Sequence, residues 1–276
     1  MRVDAHQHFW HYDSVRDSWI DNSMALLQRD FLPDDSAPAL RAAGMTAVVA
    51  VQADQSEAET DFLLDLGARY AIIRGVVGWV DLRAPDLGEA LTRRRSNPLL
   101  KGFRHIAQSE PDDFLARPEI RAGIAQLGQR GFTYDILIRP SQLAAADLLV
   151  ERSPDVRFVL DHCAKPPITS GDLSEWRRGI ERIARHPNLS CKISGLITEA
   201  SWTQWAAMDI LPCLDVTADA FGADRLMFGS DWPVCLLAGE YARVAELVEL
   251  WAARLTAAER ARVFGGTATS VYRLED

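Results

Sequence analysis

Short apolar runs alternate along the chain with longer amphipathic stretches, and each run ends in polar, Gly or Pro residues. An apolar run of about four to eight residues bounded by turn signals reads as a buried strand. The pattern predicts strands over residues 2–8, 46–52, 71–78, 100–105, 132–138, 157–162, 189–194 and 225–230. Helical spacing fills the intervals at 37–43, 57–66, 87–94, 118–128, 142–152, 173–185, 202–221 and 241–255, with a closing helical segment over 257–272. Trp176, Ile180, Ile183 and Ala184 recur at about one turn, the mark of a helix with one buried face. Asp172 and Ser174 suit the cap of that helix, and Pro118 suits a first turn, where its missing N–H is not needed. Strands dense in Val, Ile and Leu, each followed by a helix, are expected in a parallel sheet buried on both sides. The expectation is an α/β fold, a (β/α)8 TIM barrel, with residues 1–276 forming one domain.

Composition narrows the function classes. The 276 residues are 48% hydrophobic and 25% charged, and no apolar run approaches the roughly 18 residues of a membrane span. The opening Met1-Arg2-Val3-Asp4 carries no secretory leader pattern, so a cytoplasmic location is the expectation. A net charge of −9, with 39 acidic residues against 30 Lys and Arg and no basic tract, argues against nucleic acid as a partner. Cys163, Cys191, Cys213 and Cys235 are widely spaced and read as free buried thiols. Residues 9–32 form a long first βα loop carrying Trp10, Tyr12 and Trp19, which either covers the barrel mouth or packs against its rim. Nothing in the pattern sets an oligomeric state.

The chemistry-bearing residues gather at the predicted carboxyl ends of strands, where barrel active sites form. His6 and His8 end the first strand, and alternation puts both imidazoles on one face. His162 ends the sixth on the face of Phe158 and Leu160, as a site group or as a hydrogen-bonded structural histidine. Asp161 then points to the opposite side, where a cap or loop bond suits it. Asp231 follows the eighth strand, positioned to exchange a proton with water or to pin the turn at Trp232-Pro233. Arg104, His105 and Lys165 are expected to bind substrate, although Arg104 and Lys165 suit ion pairs equally well. Gln52, Trp79, Lys192 and Trp232 extend a polar and aromatic rim. Gly265-Gly266-Thr267 lacks the spacing of a nucleotide fingerprint, and no G-x-S-x-G elbow occurs, so water is the expected nucleophile.

Taken in order, six segments resemble the amidohydrolase-related family that includes fuconolactone and rhamnonolactone hydrolases. They are Asp4-Ala5-His6-Gln7-His8-Phe9-Trp10, Gly78-Trp79-Val80-Asp81-Leu82, Lys101-Gly102-Phe103-Arg104-His105, Phe158 through Pro166, Cys191-Lys192-Ile193-Ser194-Gly195-Leu196, and Phe228-Gly229-Ser230-Asp231-Trp232-Pro233. The resemblance covers essentially the whole chain. It implies an amidohydrolase-like barrel that opens a sugar-acid lactone to its aldonate, with His6, His8, His162 and Asp231 central. These four residues suit one divalent cation, zinc or manganese; the alternative is a metal-free site whose imidazoles donate hydrogen bonds to the carbonyl. Two metals are disfavoured, because Lys101 lies at the start of the fourth strand rather than at its end, where a carbamylated lysine would bridge them. Other readings are hydrolysis of an anionic cyclic ester held by Arg104 and Lys165, a decarboxylase, and a non-catalytic sugar-acid binding protein.

Overall fold

The computed structural model describes residues 1–275. The eight predicted strands form one parallel sheet in sequential order: β1 (Val3–Gln7), β2 (Ala47–Val51), β3 (Ile73–Gly78), β4 (Leu100–His105), β5 (Thr133–Ile136), β6 (Arg157–Leu160), β7 (Leu189–Ile193) and β8 (Leu226–Phe228). The sheet comes round on itself just above its first and last strands. Gln7 bridges Trp232 in parallel sense, the His8 N–H donates to the Trp232 carbonyl (2.7 Å), and the Asp231 N–H donates to the His6 carbonyl (2.9 Å). The Asp4 carboxylate clamps the same seam, accepting from the Ser230 N–H (2.8 Å) and the Tyr241 hydroxyl (3.1 Å). This is the (β/α)8 barrel expected from the strand rhythm.

Helices α1 (Pro33–Ala42), α2 (Glu57–Arg69), α3 (Leu87–Arg94), α4 (Pro118–Gln129), α5 (Leu143–Glu151), α6 (Ser174–Ile183), α7 (Ala207–Phe221) and α8 (Tyr241–Ala252) follow the strands in turn. α1 begins four residues before the expected 37 because Pro33 supplies its first turn and Pro38 is tolerated within it. α7 starts at Ala207 rather than 202, with Asp209 capping its start through the Ala206 N–H (2.7 Å). In α6 the Asp172 carboxylate accepts the Ser174 N–H (3.0 Å), whereas Ser174 is itself the first helical residue. The predicted closing helix is interrupted: α9 (Ala257–Ala261) and α10 (Thr267–Tyr272) flank a π turn at Arg262–Gly266.

Two hydrophobic layers result. Phe103, Tyr134, Phe158, Leu160 and Phe228 face the helices. Val3, Ala5, Val49, Val51, Val77, Val159 and Met227, drawn from five strands, meet inside the barrel. Ala268, Tyr272 and Leu274 join this inner cluster from α10 and its end. They enter at the amino ends of the strands, where the Lys101 ammonium donates to the Arg273 carbonyl (3.1 Å). The bottom of the barrel is therefore filled, and a cavity opens at the carboxyl ends of the strands. Among the described residues no helix is long and apolar enough to cross a membrane.

Candidate active site

Strict alternation does not explain why both β1 histidines face inward, because Val3 and Ala5 do so too. The register against β2 shifts between Asp4 and Gln7, so one extra residue in β1 resets which side chains point to the axis. After this bulge His6 Nε2 and His8 Nε2 lie 3.2 Å apart. His8 Nδ1 meets the Val51 carbonyl at 2.7 Å. That oxygen only accepts, so Nδ1 carries a proton and Nε2 is the ring atom turned toward the centre.

The sixth strand departs most from its sequence reading. β6 stops at Leu160, and His162, Cys163, Ala164 and Lys165 all take left-handed backbone, with φ between 51 and 55°. On β6 the inward positions are Val159 and then Asp161, with Phe158 and Leu160 facing the helices. The predicted outward direction of Asp161 is thus reversed. His162 reaches the centre because the chain turns over after the strand, not because it shares a face with Leu160. Its Nδ1 pairs with Ser194 Oγ (2.9 Å), and its Nε2 lies 3.9 Å from Asp231 Oδ1. Gly195, just past β7, has φ +63°, and a Cβ there would stand 2.6 Å from His162 Nδ1.

Asp231 occupies the turn after β8 with φ 60°, another left-handed non-glycine position. Its Oδ1 lies 3.4 Å from His8 Nε2 and 3.7 Å from His6 Nε2. Burial raises the carboxyl pKa, but the facing His162 and the His8 hydrogen bond outweigh it and hold Asp231 well below the usual carboxylate range. Burial works the other way on the imidazoles. It pushes His162 down to about 4, and with the Lys192 cation it takes His6 well below its ordinary value. At neutral pH the centre is one carboxylate among neutral His6 and His162.

Beneath this centre lies a buried ionic layer. Lys192 Nζ contacts Asp135 Oδ2 (2.6 Å), Asp161 Oδ1 (3.0 Å) and His6 Nδ1 (3.2 Å). Arg104 pairs with Asp161 Oδ2 (3.0 Å) and with both oxygens of Gln52. Burial alone would neutralise Asp161; Lys192, then His6 and Arg104, keep its carboxyl well below the usual range. Lys192 and Gln52, read as rim residues, are 0% exposed and belong to this layer. His105 Nε2 pairs with Glu110 (2.9 Å) while its Nδ1 accepts from the Trp79 indole (3.3 Å), and Trp232 packs against Phe9 and Phe31. Side-chain packing thus draws all five away from the cavity that Arg104 and Lys165 do line.

That cavity, of about 230 Å³, is bounded by His8, His162 and Asp231 and also by Trp19, Gln108 and Ser109. Trp19 belongs to the first loop expected at the barrel mouth or rim, whereas Gln108 and Ser109 were missed because they sit in a loop segment without periodicity. Two overlapping clusters, His6–His8–Asp231 and His6–Asp161–His162, are capable of holding a single divalent cation. The donor chemistry fits: imidazole nitrogen and carboxylate oxygen converge, and the Val51 carbonyl holds His8 in the tautomer a ligand requires. Lys101, the lysine of the fourth strand, lies at its bottom and away from these clusters.

The model of the amidohydrolase family matches residues 3–274. An L-fucono-1,5-lactonase of Burkholderia multivorans is 43% identical, with 100% of this chain and 97% of that protein aligned. An L-fucono-1,5-lactonase of Burkholderia ambifaria is 37% identical over 100% of this chain and 96% of its own length. The crystal structure of an amidohydrolase from Burkholderia multivorans with bound zinc superposes with a TM-score of 0.96 at 44% identity, covering the whole of both chains. On the family match and on these relatives, the chain is a member of the amidohydrolase family.

Proposed function

We propose that the protein hydrolyses the lactone of a sugar acid to the open-chain aldonate. The observation that carries this reading is a cavity in which a carboxylate and histidines converge while each cation is already neutralised. Arg104 is paired with Asp161, and Lys165 with Glu199 (3.0 Å). A dicarboxylated or sulfonated cyclic ester would need an unpaired cation in the wall. A neutral polyhydroxylated ring needs only hydrogen-bonding groups, which Gln108, Ser109 and the paired cations supply. The names of the two Burkholderia lactonases support the same substrate class.

In this reading water adds to the lactone carbonyl carbon and gives its proton to Asp231. The carbonyl oxygen takes up the negative charge, faced by the Arg104 guanidinium and the His162 imidazole. Collapse breaks the ring C–O bond, and Asp231 returns the proton to the departing oxygen. The product acid then ionises. Because Asp231 is held so low, it is a weak base; a divalent cation held by His6, His8 and Asp231 would, when bound, acidify the water and polarise the ester.

The test is acid release above the spontaneous rate from fucono-, rhamnono-, galactono- and arabinono-lactones, beside a dicarboxylated pyrone. Neutral lactones should turn over and the dianion should not. Asp231→Asn should lower single-turnover hydrolysis by roughly 10²- to 10⁴-fold while leaving the melting temperature nearly unchanged. Turnover of the dianion alone would move the assignment to an anionic cyclic ester.

A further inference from the structure

Among the described residues, Trp19 is the large apolar side chain left in solvent that also lines the cavity. It is 42% exposed, whereas Trp10, Trp176, Trp205, Trp232 and Trp251 are buried. An indole left uncovered has no stabilising burial of its own, so its position needs a cause. The chain on both sides of it is fixed. Asp17 and Ile20 are buried, the Ile20 N–H donates to the Asp17 carbonyl (2.8 Å), and the Asp17 carboxylate accepts from the Asp13 N–H (2.9 Å) and Arg16. Trp19 stands edge-on to Trp10, with centroids 6.0 Å apart and planes at 84°. Trp10 is locked in turn by paired backbone bonds to Phe31 and by its indole N–H to the Arg29 carbonyl (2.9 Å). The ring is therefore held in place at the cavity without being covered.

We propose that Trp19 is the platform on which the substrate ring stacks, and that it selects a single saturated ring carrying hydroxyls on its edge and C–H groups on one face. This rests on the lactonase reading above. The cavity suits such a ring: its volume falls below the roughly 300 Å³ at which sites for drug-sized ligands begin. Ile106, Leu137 and Val234 add apolar wall, while Gln108, Ser109 and Lys165 offer hydrogen bonds to ring hydroxyls. A π face opposite C–H groups gives contact area at little entropic cost, since an indole has two side-chain torsions.

The experiment compares wild type with Trp19→Ala and Trp19→Phe on the neutral aldonolactones. Trp19→Ala should raise KM by roughly tenfold or more while kcat changes far less, and Trp19→Phe, which keeps a flat ring, should recover most of the loss. A titration with the aldonate product should change tryptophan fluorescence in wild type and lose most of that change in Trp19→Phe. If wild type turns over these lactones and Trp19→Ala leaves KM unaltered, the platform is wrong and the lactonase reading stands. If Trp19→Ala lowers kcat with KM constant, the platform is likewise wrong. Wild type inert toward every lactone would overturn both.

Discussion

Gly195 shows how closely the centre is packed. Its positive φ disfavours any Cβ, and one added there would meet His162 Nδ1 at 2.6 Å and Asp231 Oδ2 at 3.2 Å. Ser194, the preceding residue, donates or accepts the bond that orients His162, so the turn after β7 sets the imidazole through both a contact and a missing atom. Gly195→Ala should cost about 1–2 kcal/mol from backbone strain and lower kcat by at least about tenfold through a displaced His162. Thermal melting and steady-state kinetics read the two effects separately; a stable variant with wild-type kcat would show that His162 has freedom the geometry denies it. His162 itself was legible as a residue but not as a conformation. Neither apolar spacing nor composition announces four successive left-handed residues, because none of them is a glycine. Asp161 was misread for the same cause: it continues the inward parity of Val159, while His162 breaks it.

Elements were far more legible than the directions of single side chains. Eight strands emerged because short apolar stretches, several of them dense in Val, Ile and Leu, recur between helical ones, and their ends located His8, Arg104 and Asp231 near one cavity. The depth of Lys192 and Gln52 was not legible, since charge and polarity suggest solvent unless a partner from another strand is known, here Asp135 and Asp161 for Lys192 and Arg104 for Gln52. The junction of β2 and α2 holds a further group of this kind. Ser56 caps α2 by accepting the Glu59 N–H (3.1 Å), while the buried Glu59 carboxylate accepts the N–H of Ala53, a cavity residue (2.9 Å). Burial pushes Glu59 up to about 7 from 4.5. A carboxyl raised in the folded state is protonated there when the unfolded chain has already lost its proton. Its stabilising contribution is complete below about 4.5 and is lost as pH rises through about 7. Relative to Glu59→Gln, wild type should lose up to about 3 kcal/mol across that window. Parallel denaturant titrations at pH 4.5 and 8 would reveal it, and an identical pH slope for both proteins would place the Glu59 pKa near its ordinary value.

At the scale of the whole molecule, a polar line runs along the barrel axis from the closed end to the cavity. The Tyr272 hydroxyl donates to Asp135 Oδ2 (2.6 Å), Asp135 pairs with Lys192, and Lys192 touches both Asp161 and His6. Burial, with the neighbouring Asp161, raises the Asp135 carboxyl, and Lys192 only partly offsets this. The layer depends on each hydrogen bond it receives. Tyr272→Phe keeps the ring and removes one such bond, so it should cost about 1–3 kcal/mol in unfolding free energy. A drop in kcat with little change in KM would follow if the loss is felt at His6, and calorimetry with steady-state kinetics on the same preparation would show whether the two fall together. Because α10 supplies this tyrosine, a segment that follows all eight strands in the chain completes the support of a histidine carried by the first. A nascent barrel lacking residues 267–272 would therefore hold all eight strands and still have an unfinished catalyst.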